Sequence, residues 1–138
     1  MGAFMTTEIP YRNRNQTGWW IASVVLRYEW SDENIDDLDR NCKVWENWIL
    51  VKASDREEAY KKANTIGEEQ QGIESWDEET GIRGSFVFEG LGMLTPIYED
   101  LGDGSEILWN EYDGIPVKKA KSFALPKEEL ECFQDGDS

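Results

Sequence analysis

Between residues 19 and 30 side chains alternate with the period of two that marks a strand. One parity carries Trp20, Ala22, Val24, Leu26, Tyr28 and Trp30; the other carries Trp19, Ile21, Ser23, Val25, Arg27 and Glu29. A half-buried strand shows one apolar and one wet side. Here the first half is apolar on both, which predicts a sheet covered on both faces over 19–26. A second strand is expected over 44–53, with Ile49, Val51 and Ala53 on one face and Trp48 and Leu50 on the other. The connector 31–41, eleven residues of which five are acidic, reads as solvated.

The period then changes. Over 54–71, Ala59, Ala63 and Ile66 fall at helical spacing, and Ser54 and Glu57 stand at the interval of a capping box. Glu57–Lys61 and Glu58–Lys62 are Glu-before-Lys pairs at i,i+4. Two alanines in the apolar stripe predict a helix lying close on a sheet, weakened late by Gly67. Residues 72–84 are polar and read as a loop with a turn at Thr80-Gly81. A third strand is expected over 85–98, where Gly90 and Gly92 point to a bulge and Pro96 to a strand end. Alternation of Ile107, Trp109 and Glu111 against Leu108, Asn110 and Tyr112 predicts a fourth strand over 106–112, after an Asp103-Gly104 turn.

These elements define an α+β fold: an antiparallel sheet of about four strands, ββαββ, with one main helix on a face and a short C-terminal helix or extension. Residues 1–17 read as a flexible arm, 18–113 as a single core domain and 114–138 as an extension, with a short helix over 126–133. One helix covers one face. The second apolar face calls for the chain's own tail or another copy of the protein.

Charge narrows the partners. The 138 residues carry a formal charge of −15 and no histidine. Such a chain repels phosphate backbones, so no nucleic acid is expected; a basic protein partner is allowed. Without histidine there is no His-based triad and no His-rich metal site. Cys42 and Cys132 form neither a disulfide framework nor a zinc motif, which favours a reducing, cytoplasmic setting. The polar amino terminus lacks a signal-peptide pattern, and no apolar run reaches transmembrane length. The loose myristoylation match at Met1-Gly2 and the glycosylation triplet at Asn15 are short enough to arise by chance.

Chemistry then rests on carboxylates. Glu29, Glu46, Glu89 and Glu111 on strands are the candidates for a glycosidase-like acid pair or a Mg²⁺ or Mn²⁺ site, against the alternative that they are surface residues or ion-pair partners of Arg27 and Lys52. Asp32, Asn34 and Asp36 mimic an EF-hand opening, but Asp37 stands where glycine is required and Lys43 where the bidentate Glu belongs. Cys42 has Arg40 and Lys43 as its neighbours for lowering a thiol pKa. Lys118, Lys119 and Lys121 form the basic cluster, read as neutralising an acidic body. Trp19, Trp20, Trp45 and Trp48 are expected to cluster where the first two strands meet, as core or as an interface patch.

The pattern resembles a bacterial family of small domains of unknown function, of the domain of unknown function 4288 type. The resemblance is carried by Trp19-Trp20, Trp45-Glu46, Val51-Lys52-Ala53, Glu57-Glu58-Ala59, Ala63, Phe88-Glu89-Gly90 and Gly104-Ser105-Glu106-Ile107, over roughly 19–112. It implies the strand–strand–helix–strand–strand layout and a bacterial cytosolic setting, and it transfers no site residue. No catalytic, cofactor-binding or metal-binding residue is assigned, and no cofactor. The reading that follows is a non-enzymatic protein-interaction module, homodimeric through a sheet face. Its alternatives are an acidic immunity- or inhibitor-type protein for a basic partner, a carboxylate-based or metal-assisted enzyme, and a small-ligand carrier with an apolar cavity beneath the helix. No membrane association is expected.

Overall fold

A computed structural model describes residues 16–135. The sequence expectations for residues 1–15 and 136–138 lie outside the described residues. The chain divides into two compact units, one ending at Leu108 and the other beginning at Trp109.

In the first unit, β1 (Trp19–Trp30) and β2 (Lys43–Lys52) are followed by α1 (Arg56–Glu68), β3 (Glu74–Trp76) and β4 (Arg83–Pro96). The four strands form one antiparallel sheet in the order β2-β1-β4-β3. β1 is central because its residues are apolar on both parities: Trp20, Ile21, Ala22, Ser23 and Val24 are all buried. α1 lies on the even face. Its Ala59 and Ala63 are fully buried against Trp20, Ala22, Val51 and Ala53, with Ile49, Ile66, Leu91 and Leu94 packed around them. The indole N–H of Trp20 donates to the Ala53 carbonyl at 3.1 Å, tying β1 to the chain entering the helix.

The helix cap differs from the expected one by a residue. Asp55, not Ser54, is the N-cap, and its Oδ1 accepts from the Glu58 N–H at 2.8 Å. Glu58 Oε1 in turn accepts from the Ser54 N–H at 2.9 Å. A carboxylate at the cap also faces the positive end of the helix dipole, an advantage serine lacks. Glu58 is thus used at the cap, and the Lys62 ammonium donates to the Lys52 carbonyl instead of to Glu58.

Within the ββαββ layout, the assignment of the last two strands made from the sequence is not the one the chain adopts. Residues 106–112 form no strand. The third strand in chain order is the short β3, inside the stretch expected to be a loop. It pairs Glu74↔Ser85 and Trp76↔Arg83. The turn closing that hairpin is built by Asp77, whose Oδ1 accepts from the N–H groups of Glu79 and Thr80 at 2.7 and 3.2 Å. Alternation alone does not make a strand: residues 107–112 pair with none of the four strands. Thr17, assigned to the arm, is anchored: its hydroxyl donates to the Ile97 carbonyl at 2.6 Å and accepts from the Trp19 N–H at 3.0 Å.

β4 carries two bulges against β1. Ser23↔Met93 is followed by Val24↔Leu91, leaving Gly92 extra, and Val25↔Gly90 by Leu26↔Phe88, leaving Glu89 extra. Bulges bend and twist a strand, so the sheet curls. Gly92 is glycine of necessity, since a Cβ there would stand 2.7 Å from Glu46 Oε2 and 2.8 Å from Ser23 Oγ. That Ser23 hydroxyl is buried and has no hydrogen-bond partner among the described residues.

In the second unit, α2 (Val117–Lys121) holds the lysine cluster, and the helix expected over 126–133 is two short 3-10 turns, Lys127–Glu129 and Glu131–Phe133. Lys127 lies over the Phe133 ring at 5.0 Å, and the Tyr112 and Phe123 rings meet at 5.2 Å.

Candidate protein-interaction surface

β2 stands at the end of the strand order, and among the described residues no strand pairs with its outer side. The Ala53 N–H donates to the Gly18 carbonyl at 2.8 Å. In an antiparallel ladder the bonded pairs alternate. The register Trp20↔Val51, Ala22↔Ile49, Val24↔Asn47 therefore turns the odd residues of β2 towards β1. The even residues Val44, Glu46, Trp48, Leu50 and Lys52 turn their N–H and C=O outward. The outward Lys52 carbonyl is the one that Lys62 reaches.

The same even residues project their side chains from the face opposite α1. Val44 is 54% exposed, Trp48 49% and Leu50 48%. Along β1 that face is closed, with Ile21 and Ser23 buried; along β2 it is open. Both apolar parities are therefore real, and the shelter on the second face is complete only over the central strand. A long, flat, apolar edge is a ready template for another strand, and proteins usually blunt such edges with proline, bulges or charge. β4 has Gly90, Gly92, Pro96 and two bulges. β3 is only three residues long. β2 has ten residues, no glycine, no proline and no register shift, with Lys43 and Lys52 only at its ends. Beside it runs an apolar groove of about 470 Å³ between Leu50 and Val51 on β2 and Ile66 and Thr65 on α1. Lys52, Lys61 and Lys62 border it.

The far end of that face is charged. Arg27 Nε donates to Glu89 at 2.7 Å and its Nη1 to Glu29 at 2.9 Å. Arg40, from the acidic connector, reaches Glu33 at 2.8 Å, Glu29 at 3.2 Å and the Asp37 carbonyl at 2.9 Å. Glu33 also accepts from the Trp30 N–H at 3.1 Å. Glu89 first and Glu29 second raise the Arg27 pKa; Arg40 first and the Trp30 N–H second hold the Glu33 carboxyl below the usual carboxylate range. Connector side chains are spent on turns, with Asn34 Oδ1 accepting from Asp36 N–H and Asp37 Oδ1 from Asp39 N–H.

Of the carboxylates singled out in the sequence, Glu29 and Glu89 are brought together, by way of Arg27. Glu46 lies mid-way along β2 beside Gly92, and Glu111 belongs to the second unit. One guanidinium bridges the two carboxylates, the arrangement of a brace. Cys42 is exposed and lines the same cleft of about 280 Å³, but the Arg40 donors are committed to carboxylates and carbonyls.

The four tryptophans do not cluster. Trp20 and Trp45 are on the helix side, Trp19 and Trp48 on the other, because their register positions on the two strands have opposite parity in pairs. Trp45 joins Tyr28 and Phe86 in edge-on contacts at 6.3 and 5.4 Å, around an apolar cleft of about 260 Å³ that also takes in Trp30 and Lys43. Tyr28 hydrogen-bonds Ser75 on β3. Trp48 and Leu50 were placed together on one face from the sequence; Val44 and the position of the strand at the sheet edge were not singled out. The signal was there: a ten-residue strand free of glycine and proline, charged only at its ends and once within.

A curled four-stranded antiparallel sheet with one helix on a face and, among the described residues, an unpaired apolar edge at β2 defines a small α+β domain. The match to a family model covers residues 19–109, and the chain belongs to that family, the Domain of unknown function (DUF4288). Among curated proteins and among solved structures, nothing matches the chain. No described helix is long and apolar enough to cross a membrane.

Proposed function

We propose that this domain is a protein-interaction module that engages its partner through β2. The observation that carries the reading is the outer edge from Val44 to Leu50, unpaired among the described residues, with Val44, Trp48 and Leu50 half exposed on one side of it. An added strand gains main-chain hydrogen bonds from the edge and side-chain contacts at alternate positions. Ion pairing at Arg27 and Arg40 supports a bracing role for the carboxylates there.

The test is a double substitution, Trp48→Lys with Leu50→Lys, compared with the unaltered protein for binding of extended peptides carrying alternating apolar side chains. The far-ultraviolet circular dichroism should be unchanged and peptide binding lost. Equal binding by both proteins would refute the reading. The alternative of a basic partner captured by the acidic surface differs in salt response: such binding weakens steeply as salt rises, whereas strand addition to an apolar edge does not.

A further inference from the structure

The occupant of this edge follows from its own register. We infer that β2 pairs antiparallel with β2 of a second copy of this chain about a two-fold axis at Trp48, joining two four-stranded sheets into one of eight. This rests on the interaction-surface reading above and specifies the partner.

Outward main-chain groups belong to the even residues, and antiparallel partners share a face, so even residues must pair with even residues. Two central registers satisfy this, one about Asn47 and one about Trp48. About Asn47, Glu46 stands diagonally across from Glu46 of the second copy, a like-charge neighbour. About Trp48, Glu46 faces Leu50 and stands diagonal to Lys52, while Trp48 meets Trp48. On the helix side, Trp45 then faces Val51 and Asn47 faces Ile49. The second register removes the like-charge neighbour, sets Glu46 within reach of Lys52, and puts the half-exposed indole at the centre of the contact, where interface energy concentrates. Lys62, already on the Lys52 carbonyl, closes the strand edge at the limit of the overlap. The self-repulsion of two chains of charge −15 opposes the pairing and is screened by salt, so association should strengthen with ionic strength.

Three measurements test this. Light scattering on the eluting protein should give twice the chain mass, and Trp48→Lys should halve it with the circular dichroism unchanged. In a background carrying Cys42→Ser and Cys132→Ser, Glu46→Cys together with Leu50→Cys, which face each other across the pair, should form a disulfide-linked dimer on oxidation. Bonded antiparallel neighbours lie about 5.5 Å apart at Cα, within the roughly 4.4–6.8 Å that a disulfide spans. Val44→Cys, whose opposite residue is Lys52, should not link. A single-chain mass at all concentrations would overturn the pairing while leaving the module reading to the peptide experiment. So would a dimer that survives Trp48→Lys, or equal linking by the paired cysteines and by Val44→Cys. Edge protection that disappears when residues 1–15 are removed, in a protein of single-chain mass, would give the edge to the chain's own amino terminus and equally overturn it.

Discussion

Gly67 shows how closely α1 is laid on the sheet. It sits within the helix, where alanine is normally better by up to about 1 kcal/mol. A Cβ at Gly67 would stand 2.3 Å from the Phe88 ring. The sequence signal at this position, a weak point in a helix, is correct for the isolated helix and wrong for the packed one. Gly67→Ala is therefore expected to destabilise by about 1–3 kcal/mol, as overpacking does, measured by denaturant unfolding. Pairing it with Phe88→Leu should recover part of the loss, since the two sites share one contact. A stabilising Gly67→Ala would mean that the helix stands further off β4. The cap is a second residue-scale case: Asp55 and Ser54 both suit an N-cap by composition, and only the path of the chain selects Asp55.

Among the elements, β1 and α1 were legible because their periods are strong: twelve residues at period two, and a stripe of Ala59, Ala63 and Ile66. β3 was not, because Glu74, Ser75 and Trp76 are exposed and carry no core face. Their strand state comes from hydrogen bonding to β4, which no local pattern encodes. The false strand at 106–112 is the converse, a good alternation that pairs with no strand of the sheet. The candidate carboxylates were found as residues but not as a unit, since a bulge at Glu89 and the path of the connector bring them to Arg27 and Arg40. That brace makes an acid-side prediction. The folded Glu33 pKa is depressed, so its stabilising contribution is present in full above the free glutamate value of about 4.3 and is lost as pH falls through the lower folded value. Arg40→Ala should cost about 1–2 kcal/mol near neutral pH and flatten the acid limb of a stability–pH curve. An unchanged acid limb would show that the connector is held by its turns alone.

At the scale of the whole molecule, two features pull against each other. A charge of −15 keeps copies apart, and an unblunted apolar edge draws strands in. Composition revealed the first and the alternation of 44–53 the second, but only the strand order shows that β2 is terminal. Because the attraction is apolar and the repulsion is screened, the dimer fraction should rise with salt in light scattering. A fall with rising salt would favour the basic-partner alternative.

The most direct test is amide hydrogen exchange at Val44, Glu46, Trp48 and Leu50, whose N–H groups face away from β1. Concentrated protein should protect all four, and dilution or Trp48→Lys should release them while Ile49 and Val51, bonded to β1, stay protected. Fast exchange at the four in concentrated protein, equal to that of the Trp48→Lys variant and unaltered by added extended peptides, would contradict the claim that this edge is a binding surface.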